Sequence, residues 1–386
     1  MMVEDSNVLY SKAYVLYDET SNKLLHDLNP NERREIASLT KMMSSIVAIE
    51  KIDNLDEKVT ITQEMLNTVP YDAFIIHLKA GEEVTYRDLL YGTLLPSGAD
   101  AVNSLAIATY GSMDKFVEAM NNKAKELGMN DTLFHDAIGM DGLNSYSTAN
   151  DLHTLMKYAL ENKTFKEIFE TKHYKLTNGI DAWNSSMMFG NQIHLNTDRI
   201  VGDKTGYTTP AEFCIAYEFI SHEHTFYAVL LGAPVENFTD FKHIRDALNI
   251  IDYVDNNMKY YKLVENNSLY KTINVVNSKT NSYDIYNDKD IELLLEEYDS
   301  SKLRIEDTLP NEISYLNKQG EVIGDIKYFY DGELLYEKTV ELNMELQPNT
   351  KEYIKIHKYE FIGLGVIIVL LLLIIIILII KGRKKR

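Results

Sequence analysis

Cysteine is nearly absent from this sequence. Of its 386 residues only Cys214 carries a thiol, which excludes an intrachain disulfide and a metal cluster built from cysteines. Positive charge is also scarce, because 39 lysines and arginines face 58 aspartates and glutamates and leave a net charge of −19. Nucleic acid is therefore not an expected partner, since binding to a phosphate backbone requires a basic surface.

The first ten residues lack the features of an export signal. The stretch MMVEDSNVLY has neither a basic start nor an apolar run. We expect either that a signal is missing from this sequence or that its start lies downstream of the natural one.

A long uncharged run lies near the C-terminus. Residues 361–380 read FIGLGVIIVLLLLIIIILII, and a helix of about twenty residues spans about 30 Å, the thickness of a membrane core. This run predicts a single transmembrane helix in the cell membrane. The basic residues in the tail 381–386 predict a cytoplasmic end, with the rest of the chain outside the cell. A buried core helix and a tail anchor with a cytosolic N-terminus are the less favoured alternatives.

The remaining chain is interpreted as two domains. In residues 8–255, a hairpin is predicted near the start, helices follow, and a second hairpin precedes a last helix over 238–254. Strands at both ends predict an α+β domain with one sheet assembled from the two ends. In residues 256–350, short β-type runs alternate with polar turns, and YDGELL predicts an Asp-Gly hairpin. We interpret this part as a small β-rich spacer domain before the membrane.

The stretch REIASLTKMMSSIVAIEK, residues 34–51, places a serine and a lysine three residues apart at the start of an apolar helix. Residues with this spacing share a helix face, so the amine of Lys41 can reach the hydroxyl of Ser38. A serine nucleophile needs a base, and lysine can serve if burial or a nearby positive charge lowers its pKa. The alternative is an N-cap serine with a solvated lysine, and a second match occurs at Ser112 and Lys115.

Two further stretches carry polar groups suited to the same chemistry. In LLPSGADAVNS, Ser97 lies in a turn before a helix and could relay a proton to a leaving amine. In VGDKTGYTTPAEF, Lys204 offers a cation and Thr205 a hydroxyl, beside a glycine that lets a ligand approach the backbone. Ordinary turn chemistry is the alternative for each. His222 and His224 resemble a metal pair, but they lie in a predicted turn without a further ligand nearby.

Together the three stretches match the motif set S-x-x-K, S-D-N and K-T-G of serine β-lactamases and penicillin-binding proteins. With ERREIASLTKMM, LLPSGADA, LFHDAIGMDGLNSYSTANDL and IVGDKTGYT, the chain resembles a low-molecular-mass penicillin-binding protein, a serine-type D-alanyl-D-alanine carboxypeptidase. The resemblance covers about residues 8–255 and implies the penicillin-binding/β-lactamase-like transpeptidase fold, an antiparallel sheet with a helical lobe. A β-rich second domain and a C-terminal membrane helix also fit this family.

The resemblance implies a role for each motif residue. Ser38 would be the acylated nucleophile, Lys41 its general base and Ser97 the third catalytic group. Lys204 and Thr205 would hold the terminal carboxylate of the substrate. The oxyanion hole would consist of the backbone N–H groups of Ser38 and Tyr207. The implied substrate-binding residues are Lys204, Thr205, Gly206 and Tyr207.

Two departures from the family pattern affect these expectations. The loop motif normally ends in asparagine, whereas the third position here is Ala99. Asn103, one helical turn on, is a conceivable substitute that would contact Lys41. The family also tends to place an arginine in the helix after the second hairpin, to help bind the carboxylate. Lys242 and Arg245 are the two candidates for that role.

The implied enzyme removes the terminal D-alanine from peptidoglycan stem peptides outside the cell, through an acyl-enzyme on Ser38. No metal or organic cofactor is implied, and β-lactam antibiotics would be covalent inhibitors. A serine β-lactamase is the enzymatic alternative, although no glutamate suited to rapid deacylation is recognisable on a separate loop. A catalytically weakened penicillin-binding or wall-binding scaffold is the non-enzymatic alternative, motivated by Ala99.

Overall fold

The computed structural model describes residues 9–140, 144–237 and 239–383. The chain divides into two units, Met1–Asn257 and Met258–Arg386. Parts of four sequence-based expectations lie outside the described residues, namely 1–8 at the N-terminus, 141–143 in a motif stretch, 238 at the expected start of a helix, and 384–386 in the basic tail. The assignment of residues 8–255 to a catalytic domain, of 256–350 to a spacer and of 361–380 to a membrane anchor stays a prediction.

The first unit contains both strands and helices. Its strands are β1 (Ala13–Asp18), β2 (Lys23–Leu28), β3 (Lys58–Thr60), β4 (Glu83–Thr85), β5 (His173–Lys175), β6 (Asp181–Trp183), β7 (Ile200–Thr208), β8 (Glu212–Ser221) and β9 (His224–Ala233). Its helices are a 3-10 turn (Ala37–Leu39), α1 (Thr40–Ile49), α2 (Gln63–Asn67), α3 (Tyr86–Leu94), α4 (Ala99–Tyr110), α5 (Met113–Glu126), α6 (Ala149–Glu161), α7 (Lys163–Glu170), α8 (Ser185–Gln192) and α9 (Lys242–Asn257).

One antiparallel sheet in the order β2-β1-β9-β8-β7 organises this unit. Strand β1 pairs with β9, so that Val15 lies opposite Val229. The prediction of one sheet assembled from the two ends of the domain is therefore confirmed. The turn between β8 and β9 contains His222 and Glu223, whose φ angles are 50° and 65°. Two consecutive positive φ angles are typical of a two-residue hairpin turn, the kind of turn in which the sequence places His222.

Helix α1 lies inside the helical lobe rather than on its surface. All its residues are buried, and it packs among α3, α4, α5 and α6. A helix that is apolar nearly all round is stable only in such a position. The polar residues Lys41 and Ser44 are therefore carried into the core on this helix, which separates the Lys41 amine from solvent.

Capping residues set the limits of the neighbouring helices. Strand β4 continues to Thr85, and α3 follows it directly. The Thr85 hydroxyl accepts from the N–H of Asp88 at 3.1 Å, and the Asp88 carboxylate accepts from the N–H of Thr85 at 2.9 Å. This capping box satisfies two N–H groups at the helix start. Helix α4 ends at Gly111, whose φ of 77° is the left-handed conformation that glycine tolerates.

The second unit is rich in short strands. They are β10 (Lys259–Val264), β11 (Leu269–Val276), β12 (Ser282–Tyr286), β13 (Ile291–Leu295), β14 (Leu303–Asp307), β15 (Glu312–Ser314), β16 (Val322–Tyr330) and β17 (Glu333–Glu341). They form small sheets in the orders β10-β13, β12-β11-β15 and β14-β16-β17. The predicted hairpin at Asp331-Gly332 connects β16 to β17. The buried core includes Ile273, Ile326 and Tyr328, so this unit has a hydrophobic core of its own.

Two helices follow these sheets, α10 (Thr350–Ile356) and α11 (Lys358–Arg383). Within α11, the segment Lys358–Lys381 is long and apolar enough to cross a membrane, by its length and composition. The apolar side chains along it are exposed, which a folded protein in water tolerates poorly over so large a surface. The predicted span 361–380 falls inside this helix.

Candidate active site

Ser38 lies just before α1, where the chain approaches the helix through a 3-10 turn. The side chain of Ser38 is partly exposed, whereas Lys41 is 1% exposed. Lys41 Nζ is 2.9 Å from Ser38 Oγ. Ala37 has a φ of 46°, a strained conformation for alanine that is maintained only where the surroundings enforce it. The structure thus brings the amine and the hydroxyl into hydrogen-bonding distance, as the spacing indicated.

The second match to the same motif behaves differently. Ser112 is the N-cap residue of α5, and its hydroxyl accepts from the backbone N–H of Lys115 at 3.4 Å. Lys115 is exposed. This pair is therefore the ordinary capping arrangement that was the alternative for Ser38, whose own side chain caps no helix.

A backbone carbonyl is a second oxygen that holds the Lys41 amine. Lys41 Nζ donates to the carbonyl of Ile138 at 2.9 Å. The Asp136 carboxylate fixes this loop, because it accepts from the N–H groups of Ile138, Gly139 and Met140. At Gly139, whose φ is 87°, a Cβ would lie 1.9 Å from the carbonyl oxygen of Ala37. Only glycine therefore lets this loop approach the turn that carries Ser38.

Ser97 and Lys204 form the other side of the site. Lys204 Nζ is 3.0 Å from Ser97 Oγ and 2.7 Å from the carbonyl oxygen of Thr205. Ser97 has a φ of 70°, which points to a conformation imposed on the loop by its surroundings. Lys204 is fully buried on β7, so its amine lies in the interior beside the serine rather than in solvent.

Burial changes the chemistry of both amines. Loss of solvent, and then the nearby Lys204, hold the pKa of Lys41 well below its usual range, against the opposing pull of Asp136. Burial lowers the pKa of Lys204 to about 7, although Asp203 acts in the opposite direction. A depressed amine pKa is what a lysine needs to act as a base near neutral pH. The lowered pKa suits Lys41 to the neutral form, and Lys204, with a pKa of about 7, can still carry charge.

A cavity of about 400 Å³ connects these groups. Strand β7 forms one wall, and it approaches the nucleophile closely because a Cβ on Gly206 would lie 3.0 Å from the backbone nitrogen of Ser38. The predicted residues that line the cavity are Ser38, Lys41, Ser97, Thr205, Gly206 and Tyr207. The predicted Lys204 reaches the same place through its contact with Ser97. The structure therefore brings all seven predicted residues together.

Sequence reasoning missed three polar residues of this region. Asp136 fixes the loop behind Lys41, the Ser185 hydroxyl lies 2.6 Å from that of Thr205, and the buried ring of His243 lines the cavity. Asp136 stood in one of the motif stretches, three residues before a glycine, and that spacing was its only signal. Ser185 and His243 lie in segments without a motif, so only the tertiary structure locates them.

The expectation that Asn103 substitutes for the asparagine of the loop motif was wrong. Asn103 does not contact Lys41, because its Nδ2 donates to the carbonyl and the hydroxyl of Thr68 at 3.1 and 3.0 Å. Asn103 lies one turn further along α4, and this turn directs its side chain towards another loop. The second oxygen that holds the Lys41 amine is instead the carbonyl of Ile138. Ala99 is fully buried and contributes no polar side-chain group.

The candidates for a carboxylate-binding cation were also wrong. Lys242 Nζ pairs with Glu236 at 2.6 Å, and Arg245 Nε pairs with Asp240 at 2.7 Å. Neither side chain lines the cavity, whereas His243 between them does. Successive residues on a helix point in directions about 100° apart, so the face of α9 that reaches the cavity belongs to His243.

A serine that follows a strained alanine, a buried amine in contact with this serine and a second serine–lysine pair across a cleft define the class of serine acyl-transfer enzymes that use lysine as base. The model of the D-alanyl-D-alanine carboxypeptidase peptidase family matches residues 2–235, and that of the penicillin-binding protein 5 C-terminal domain matches residues 259–348. Because the first match spans more than half of the chain, this protein belongs to the D-alanyl-D-alanine carboxypeptidase family.

Individual relatives agree with this assignment. The chain is 26% identical to the D-alanyl-D-alanine carboxypeptidase DacF of Bacillus subtilis over 86% of this chain and 84% of the relative. It is 34% identical to a D-alanyl-D-alanine carboxypeptidase of a Streptomyces species over 48% of this chain and 68% of the relative. The structure of penicillin-binding protein 5 from Haemophilus influenzae aligns with a TM-score of 0.65 at 23% identity, over 89% of this chain and 100% of that one.

These comparisons confirm the predicted family, the predicted fold class and the predicted enzyme class. The protein is a D-alanyl-D-alanine carboxypeptidase by family, a serine hydrolase of the penicillin-binding-protein class, and the fold is mixed α and β with a β-rich second unit. The β-lactamase and scaffold alternatives are not favoured by any of these matches. The C-terminal apolar helix fits a membrane anchor.

Proposed function

We propose that Ser38 is the nucleophile that removes the terminal D-alanine from peptidoglycan stem peptides. The contact of 2.9 Å between Lys41 Nζ and Ser38 Oγ carries this proposal. Burial and the neighbouring Lys204 disfavour the ammonium form of Lys41, so its free electron pair can take the hydroxyl proton. These two observations together support the proposed role of Lys41 as general base.

The reaction has two halves. Ser38 Oγ attacks the carbonyl carbon of the penultimate D-alanine while Lys41 takes its proton, and the backbone N–H groups of Ser38 and Tyr207 stabilise the oxyanion. The peptide C–N bond then breaks, and the leaving amine takes up a proton delivered from Lys41 through Ser97. In the second half, water attacks the ester carbonyl while Lys41 takes one of its protons. The C–O bond to Ser38 then breaks, Lys41 returns the proton to Ser38 Oγ, and the shortened peptide leaves.

The other groups bind the substrate. Lys204 supplies positive charge behind Ser97 and Thr205, and the Thr205 hydroxyl donates to the terminal carboxylate. Gly206 lets the extended peptide approach β7, and Tyr207, which is 36% exposed, forms the rim. β-Lactam antibiotics would acylate Ser38 in the same way, because their amide occupies the position of the scissile bond. No step needs a metal or an organic cofactor.

The C-terminal segment supports a location at the cell membrane. Helix α11 would cross the cell membrane once, with the basic end of the tail 381–386 in the cytoplasm. The unit Met1–Asn257 would then act outside the cytoplasm, where peptidoglycan is found. The unit Met258–Arg386 would connect it to the membrane.

Mass spectrometry after incubation with benzylpenicillin tests the assignment of the nucleophile. We expect one covalent adduct on Ser38, and release of D-alanine from a tripeptide that ends in Lys-D-Ala-D-Ala. Ser38→Ala should abolish the adduct and lower turnover by about 10⁴-fold or more, as loss of the nucleophile does in serine peptidases. Ser112→Ala is the matched control, because Ser112 has the same motif spacing but caps α5, and it should retain full activity.

Two results would contradict the proposal. One is an adduct, or undiminished D-alanine release, in the Ser38→Ala variant. The other is rapid turnover of a chromogenic cephalosporin, which would identify a β-lactamase, since that activity requires fast hydrolysis of the acyl-enzyme.

A further inference from the structure

Asp203 is a buried carboxylate for which the proposed reaction gives no role. It lies on β7 directly before Lys204, and its side chain has no exposed surface. One oxygen, Oδ2, accepts a hydrogen bond from the Ser186 hydroxyl at 2.5 Å. The other, Oδ1, has no hydrogen-bond partner within the described part of the chain. Buried polar atoms are nearly always paired, so the unpaired oxygen of Asp203 calls for an explanation.

The neighbouring Lys204 is a buried amine whose contacts carry no charge. Its Nζ lies 3.0 Å from the Ser97 hydroxyl and 2.7 Å from the carbonyl oxygen of Thr205. Because successive side chains of a strand point to opposite faces, the Asp203 carboxylate and the Lys204 amine lie on the two sides of β7. A buried charge is costly unless an opposite charge lies near it. Asp203 supplies that charge across the thickness of a single strand.

A second cation near Asp203 is partly exposed to water. Lys172 Nζ donates to the carbonyl of Ile200 at 2.8 Å and lies 3.8 Å from Asp203 Oδ2. The Lys172 side chain is 32% exposed, so solvent screens its charge, whereas Asp203 and Lys204 are both shielded from solvent. An asparagine would accept a hydrogen bond from the Ser186 hydroxyl as an aspartate does. What the carboxylate adds at this position is negative charge.

Most other charged groups around β7 are paired with each other. Helix α7 supplies Lys166, which pairs with Glu170 at 3.2 Å and with Glu218 of β8 at 3.1 Å, and α8 contains no charged residue. Burial lowers the pKa of Lys204, and the charge of Asp203 acts against that change. The remaining charged groups are Lys41 and Asp136 across the cleft, and Glu212 at the start of β8 with its partners Lys12 and Arg34.

We propose that Asp203 is a positioning residue that acts through Lys204, because its buried negative charge stabilises the ammonium form of Lys204 to which substrate and penicillin bind. The proposal rests on the function given above and adds a residue that sets the pH range of acylation. Removing the charge lets burial lower the pKa of Lys204 below its value of about 7. The ammonium form is present below this pKa and lost above it, so the alkaline fall in activity moves to lower pH.

The pH dependence of penicillin acylation tests this role. The second-order rate constant for labelling by a fluorescent penicillin is measured between mildly acidic and mildly alkaline pH, on the full chain and on Asp203→Asn. The amide keeps the size of the side chain and an acceptor for Ser186. We expect the alkaline fall to move about one pH unit lower, so that the variant is about tenfold slower at about pH 8 and within about twofold at about pH 6.

Three control variants separate the charge of Asp203 from its hydrogen bond. Asp203→Glu keeps the charge and should return the alkaline fall close to its original pH. Ser186→Ala removes the hydrogen bond and keeps the charge, so the fall should stay in place. Lys172→Met removes the cation beside the carboxylate, so the fall should stay in place or move to higher pH.

Two results would overturn the proposal, because each assigns Asp203 to the fold alone. One is a loss in Asp203→Asn that is equal at every pH and leaves the alkaline fall in place. The other is a shift in Ser186→Ala as large as that in Asp203→Asn. If thermal unfolding shows that the asparagine variant is not folded, Asp203→Ser serves as the neutral variant. Failure of the proposed function would appear separately, as a missing penicillin adduct on Ser38 in the unsubstituted protein.

Discussion

The lysines of the two units show what distinguishes a reactive region from a structural one. In the first unit, Lys41 and Lys204 are buried, and burial lowers the pKa of each. In the second unit, the side chains of Lys302 and Lys327 remain in contact with water, and they pair with Asp331 at 2.8 Å and Glu337 at 3.0 Å. These hydrogen bonds and charges raise the pKa of both exposed lysines. The same side chain is therefore a potential base in one unit and a solvated cation in the other.

The difference teaches that residue type alone does not predict chemistry. An exposed ion pair contributes little to stability, because water and salt screen it. A buried amine disfavours its own charge, and this cost is tolerated at Lys41 because the surrounding helices and the Asp136 loop hold it in place. The predictions below test this contrast, from the largest expected effect to the smallest.

Replacing the two kinds of lysine by arginine should give opposite results. Lys41→Arg puts a guanidinium, which stays protonated, in contact with Ser38, so we expect acylation by penicillin to slow by about 10²- to 10⁴-fold. Lys302→Arg keeps the ion pair with Asp331 and should leave the rate unchanged. Stopped-flow or gel-based labelling with a fluorescent penicillin measures both. A Lys41→Arg variant that acylates at the normal rate would contradict the proposed contrast between Lys41 as a base and Lys302 as a solvated cation.

Two glycine substitutions distinguish a displaced active-site loop from backbone strain at a position outside the site. Gly139→Ala would place a Cβ 1.9 Å from the Ala37 carbonyl oxygen, so the loop that holds Lys41 must move. We expect an activity loss of about 10²-fold from the displaced amine. Gly128→Ala is the control, because Gly128 has a φ of 76° but no atom within 4 Å. It should cost about 1 kcal/mol of stability from backbone strain and leave activity intact.

The control would fail to discriminate if both variants lost stability and activity in proportion. In that case the Asp136 loop would act only on the fold. Peptide turnover measured alongside the free energy of unfolding in urea distinguishes these outcomes.

The pH profile should reflect the two buried amines and not the exposed ones. Lys41 must be neutral to accept a proton, so kcat/KM should rise with pH on the acid side. Lys204 must be charged to attract the carboxylate, and its pKa of about 7 means that this charge is present below pH 7 and lost above it. We expect a bell-shaped profile with an alkaline fall of about tenfold. The variant Lys302→Met should leave the profile unchanged. If kcat/KM does not fall at alkaline pH, a group other than Lys204 supplies the positive charge that attracts the carboxylate.

The smallest effect on activity should come from removing the C-terminal helix. Deletion of residues 358–386 removes the segment that fits a membrane anchor, while the unit Met1–Asn257 has its own core. We expect the protein to move from the detergent phase to the aqueous phase in a phase-separation assay, with peptide turnover changed by about twofold or less. A truncated protein that still fractionates with membranes would argue against anchoring by this helix.

Much of the site was accessible from the sequence because its motifs are local. Ser38 and Lys41 are neighbours along one stretch, and helical geometry predicts that they share a face. The β1–β9 pairing was also predictable, since apolar strands stood at both ends of the domain. The prediction that Asn103 contacts Lys41 was wrong. Asn103 does lie one helical turn after Ala99, but the direction of its side chain depends on the Thr68 loop.

The residues that escaped prediction act across long sequence distances. Asp136 fixes the carbonyl that holds Lys41 from a loop about a hundred positions away, and Ser185 meets Thr205 between two elements. His243 was hidden between two more conspicuous cations, Lys242 and Arg245. No periodic pattern marks such residues, because their partners are set by packing and not by spacing.

The sequence by itself determined the motif residues, the apolar C-terminal helix and the hairpins at both ends of the first domain, because each depends on neighbours within a few residues. The tertiary structure alone decided that Lys41 is buried while Lys302 is exposed to solvent. It also decided that His243 faces the cavity while Lys242 does not. The physical reason is that the cost of charging an amine, and the partner of a ring nitrogen, depend on what distant segments place around them.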